Sequence, residues 1–80
     1  MRFFIDNFGY VWRIKPARIP NSKRIALIPQ RFEGFNNHGG MVWVERDWED
    51  RDGACEINGK QAGKIIDFHL FCWRKEKNLT

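Results

Sequence analysis

Eighty residues make one small domain, and at 42% hydrophobic and 15% aromatic side chains its core must be built from a few large rings, which excludes a disordered chain despite the 30% charged content. The amino-terminal stretch carries Asp6 and Arg13 and holds no apolar run of signal-peptide length. Nothing elsewhere approaches the roughly 18 apolar residues of a membrane helix, so a soluble, cytoplasmic protein with no membrane partner is expected.

Short apolar runs with period-two alternation, punctuated by Gly, Asn and Pro, dominate the chain. Arg2 to Ile5 and Tyr10 to Ile14 read as strands joined by "DNFG", where Asn7 and Gly9 can take the positive φ of a tight turn. "KPARIPNSK" carries two prolines and reads as an irregular crossing loop. Arg24 to Ile28 is the third strand, "FEGFNNHGG" a flexible connection, and Met41 to Val44 the fourth strand, with Trp43 buried or in a cross-strand pair. Asp47 and Gly53 bracket one helical turn over Trp48 to Asp52. Ala54 to Ile57 is a short strand entering an Asn58-Gly59 hairpin, and "IIDFHLFCW", Ile65 to Trp73, is the longest strand, with Ile66, Phe68, Leu70 and Cys72 on its core face. Residues 75 to 80 read as a frayed tail.

The expected fold is all-β or β-rich α+β: a single antiparallel sheet or partly open barrel of five to six strands, with at most one short helical turn. SH3-like and OB-like barrels fit the length and strand count, an analogy of architecture that transfers no function.

The chemistry-bearing patterns are weak. "ERDWEDRDG" fails as a calcium loop, because with the glycine at Gly53 the ligand positions fall on Trp48 and Gly59. Arg46 and Arg51 interleave with its acids, so local ion pairs on a solvated turn are expected. His38, Cys55, His69 and Cys72 are the right number of zinc ligands at the wrong spacing, and neither cysteine has a catalytic signature. Both thiols read as reduced and buried. "NNHGG" lacks the following helix of a phosphate cradle. No enzyme activity, metal or cofactor is expected.

Binding is the surviving class. The charge of +4 is distributed as +6 from Arg2 to Arg31, −5 from Glu33 to Glu56, and +3 thereafter. "YVWRIK" and "FCWRKEK" set Trp12 beside Arg13 and Lys15, and Trp73 beside Arg74, with both tryptophans near strand ends and expected to be exposed. The bipolar charge favours protein contacts or self-association, as an adaptor or inhibitor acting through Trp12, Arg13, Trp73 and Arg74, with Trp48 and its acids as a second patch. The alternative is a nucleic-acid-binding module in which Lys15, Arg18, Lys23 and Arg24 follow phosphates and exposed tryptophans stack on bases. The size also suits the accessory reading frames of mobile elements.

Overall fold

The computed structural model describes residues 1–77. The elements are β1 (Arg2–Ile5), β2 (Val11–Arg18), β3 (Ile25–Phe35), β4 (Met41–Glu45), a 3₁₀ turn (Trp48–Arg51), β5 (Cys55–Ile57) and α1 (Gly59–Glu76). The strands form one antiparallel sheet in the order β4-β3-β2-β1-β5. The sheet is not closed into a barrel. With the single carboxy-terminal helix, the chain is a small β-rich α+β domain.

The expected sixth strand is the helix α1. Asn58 accepts from the Gln61 backbone N–H while the Gln61 side chain accepts from the Asn58 N–H, a reciprocal cap that starts a helix where a hairpin was expected. Beyond the cap, Ala62, Ile65, Ile66 and His69 recur at helical spacing. The core faces change accordingly: Ile65 and Ile66 pack inward, whereas Phe68, expected in the core, is 64% exposed. Lys75 and Glu76 belong to the helix; the rest of the expected frayed tail beyond Lys77 lies outside the described residues.

The helix covers one face of the sheet. Val11, Phe32 and Ala62 are buried together, with Phe3, Phe35, Trp43, Ile57, Ile65 and Ile66 packed around them. Ala62 lets the helix approach closely, and full burial of Val11 and Phe32 contributes about 1.5–3 kcal/mol each. Trp43 lies opposite Phe32 in the β3–β4 register, their rings edge-on at 5.3 Å, which meets the expectation of a cross-strand pair.

The other face is closed by the 3₁₀ turn. Asp47 caps it by accepting from the Glu49 N–H, and Trp48 sets its ring edge-on against Phe4 at 5.0 Å and Trp12 at 5.8 Å. Trp12 is 0% exposed, so its expected surface position is corrected: the ring fills the space beneath Trp48. Its Nε1 donates to Asp6, a buried carboxylate that also accepts from the N–H groups of Phe8 and Tyr10. Asp6 thus closes the β1–β2 turn, with positive φ at Gly9 and not at Asn7.

The expected crossing loop is instead the outer half of a long hairpin. β1 pairs with Val11–Ile14 of β2, and β4 pairs with Gln30–Phe35 of β3. Between these limits Lys15–Arg18 and Ile25–Ile28 pair only with each other, forming a two-stranded ribbon that leaves the body of the sheet. Pro16 is accommodated because β2 has no β1 neighbour there, an edge where a residue without an N–H is tolerated. The tip is tied by Ile19 N–H to the Arg24 carbonyl at 3.2 Å and by Arg24 N–H to Ser22 Oγ at 3.0 Å, with Asn21 at φ 61°. The ribbon is consistent with the elongated outline of 46 × 28 × 21 Å.

Candidate nucleic-acid interface

The ribbon gathers four of the basic residues singled out in the sequence. Lys15 and Arg18 stand on opposite faces of its first strand, while Lys23 and Arg24 lie at its tip, and all four are exposed. Among the described residues none of them is within ion-pair distance of a carboxylate. No acid occurs between Asp6 and Glu33. Both of those acids are engaged elsewhere: Asp6 in its turn, and Glu33 by Arg31 at 2.8 Å and Arg46 at 2.7 Å. Those two guanidiniums, Arg31 first, hold the Glu33 carboxyl below its ordinary pKa, and Glu33 in turn raises Arg31. No acid of the ribbon itself opposes these cations, although Glu45, opposite Gln30, stands at its base. Its outer face adds Ile25 and Leu27, 66% and 67% exposed, opposite Arg18 and Pro16.

No family model, curated protein or solved structure matches the chain. Function has therefore to be read from the surface itself.

The remaining candidate residues are dispersed. Trp12 and Arg13 are neighbours on β2, so they point to opposite faces: Trp12 under the 3₁₀ turn, Arg13 toward the helix side. Arg13 Nε donates to Gln30 Oε1 at 2.7 Å, and its guanidinium lies over the Trp43 ring at 4.2 Å. Burial lowers its pKa. Trp73, on the last turns of α1, is half-buried against Phe35, with ring centroids 6.0 Å apart, and Arg74 beside it is exposed. Trp48 is half-buried in the cluster with Phe4 and Trp12.

The acidic segment is a surface turn, but its arginines do not pair within it. Arg46 reaches Glu33 on β3, and Arg51 lies over the Trp48 ring at 4.8 Å and donates to the Trp48 carbonyl. Cys55 is exposed on the edge strand β5, against the expectation of burial, and Cys72 is half-buried; both are free thiols. His69 lies against Phe32 and Phe68, and His38 is exposed in the β3–β4 turn. Among the described residues no three His, Cys, Asp or Glu side chains come together as metal ligands. Asp6, Gln30 and Glu33 were not anticipated; of these only Asp6 had a local signal, as the leading acid of an Asx-type turn.

Proposed function

We propose that the chain is a non-enzymatic nucleic-acid-binding module that lays its β2–β3 ribbon into a groove of a duplex. The observation that carries this reading is the projecting ribbon itself, with Lys15, Arg18, Lys23 and Arg24 and no acid between Asp6 and Glu33. A two-stranded ribbon fits a major groove about 12 Å wide. Cations on both faces and at the tip reach the phosphates lining it, while Ile25 and Leu27 offer apolar contact to sugars and thymine methyl groups. The four tryptophans are half-buried or buried, which favours ribbon insertion over base stacking on Trp.

Four phosphate contacts correspond to a slope of about −3.6 in log affinity against log salt for duplex DNA. Anisotropy titrations with labelled duplex and single-stranded DNA and RNA over a salt series measure it. Replacing Lys15, Arg18, Lys23 and Arg24 together by Gln is expected to abolish the duplex binding and its salt slope while the far-ultraviolet dichroism stays unchanged. Binding that survives this replacement with its slope intact rejects the ribbon as the interface.

Protein contact is the second reading, favoured by Phe68 and Phe71, each 64% exposed on α1. It predicts affinity for a partner that is weakly dependent on salt and lost in Phe71→Ser, with the ribbon cations irrelevant.

A further inference from the structure

Between α1 and the helix-facing side of the sheet lies a groove of about 290 Å³ lined by Phe3, Arg13, Met41, Trp43, Gly63 and Ile66, with Asp67 also on its wall. We infer that this groove is an anion site built on Arg13, taking the singly charged phosphate of a phosphodiester. It stands on its own geometry, apart from the ribbon.

The basis is a contrast among the arginines. Arg2, Arg31 and Arg46 each meet a glutamate within 2.9 Å. Arg13 is half-buried, and among the described residues it meets no carboxylate. Arg13 is thus drawn partly out of water with no described carboxylate in ion-pair contact, and that burial lowers its pKa. Its placement is nonetheless held: Gln30 takes the Nε–H, and the guanidinium carbon lies over the Trp43 ring. Holding Nε in this way leaves the two terminal nitrogens as a fork for a pair of oxygens on one phosphorus. Apolar walls from Phe3, Met41 and Ile66 lower the local dielectric and strengthen such a contact. Asp67, exposed on the wall, opposes any anion but a dianion more than a monoanion, so of the two it leaves the singly charged group favoured. Lys15 lies two residues along the same face of β2, so a backbone held by the ribbon could continue toward Arg13.

The experiment follows the arginine Nε–Hε resonances of the ¹⁵N-labelled protein during titration with dimethyl phosphate and, separately, inorganic phosphate. The expected result is a saturable shift at Arg13, larger than at exposed Arg18, with dimethyl phosphate bound more tightly than the dianion. Arg13→Lys keeps a charge but loses the fork, and is expected to weaken dimethyl phosphate at least tenfold, read on the Trp43 indole and Ile66 methyl signals, with its thermal midpoint recorded to confirm folding. No saturable shift at Arg13, a shift matching Arg18, or undiminished binding by folded Arg13→Lys would overturn the site. The ribbon variant with four Gln replacements separates this from the duplex reading: it should lose duplex affinity and keep the Arg13 response to dimethyl phosphate. In the wild type, a shift with an oligonucleotide duplex identifies the nucleic-acid backbone as the source. A shift with a cyclic mononucleotide but none with the duplex identifies a free nucleotide.

Discussion

Trp12 and Trp43 are both Trp on strands, and replacing each by Phe should have opposite consequences for the indole nitrogen. Trp12 Nε1 donates to the buried Asp6 carboxylate at 2.9 Å, whereas Trp43 Nε1 is buried with no acceptor. Trp12→Phe removes a hydrogen bond to a charged acceptor, about 1.5–3 kcal/mol. It also leaves a void where the outer part of the larger indole packed near Trp48, at about 24 cal/mol per Å³, which adds on the order of 1 kcal/mol. The expected loss is about 2.5–4 kcal/mol, a large part of the margin available to so small a domain. Trp43→Phe also loses ring contacts, but it relieves an unsatisfied N–H whose burial costs about 1–3 kcal/mol, so the two effects nearly cancel and the change should stay within about 1 kcal/mol. Urea unfolding followed by far-ultraviolet dichroism gives both values without relying on the fluorescence of the replaced residue. A Trp43→Phe variant at least as destabilised as Trp12→Phe would show that ring volume, and not hydrogen-bond satisfaction, governs these sites.

Glu33 supplies an acid-sensitive component of stability. Its carboxyl is depressed in the folded state, so its contribution is fully present above the unfolded carboxyl value of about 4.3 and is lost as pH falls through the folded value. Glu33→Gln should therefore destabilise at neutral pH and flatten the acid limb of stability against pH; a limb of unchanged steepness in urea midpoints would contradict this. Gly53 has φ +69°, and a side-chain carbon there would run into the Asn7 amide. Gly53→Ala is expected to destabilise by about 1–3 kcal/mol in the same assay, and a neutral effect would mean the turn relaxes freely.

The strands were legible where short apolar runs are bounded by turn residues. Arg2–Ile5 and Met41–Glu45 are such runs, too short for a helix, although their burial does not itself alternate. Ile65 to Trp73 was ambiguous because its apolar residues satisfy both periods, and Asn58-Gly59 serves as a hairpin signal or a helix start depending on Gln61 three residues later. Pro16 misled because its tolerance depends on where β1 begins, a fact of register with no local mark. The ribbon's four cations were visible as charges, but only pairing of Lys15 with Ile28 and Arg18 with Ile25 brings them onto one projection. Arg13 was grouped with Trp12 by adjacency, yet adjacent strand residues are separated by the sheet; its partners Gln30 and Trp43 come from β3 and β4.

The ribbon is bare along both long sides, and such sides are templates on which identical chains can zip together. Pro16 interrupts one side, and Pro29 stands at the base of the other, each deleting an N–H that an incoming strand would need. Lys15, Arg18, Lys23 and Arg24 add mutual repulsion between two approaching ribbons. The cations proposed to meet phosphate would thus also oppose fibre growth, and a polyanion that neutralised them would bring ribbons of neighbouring copies within reach of each other.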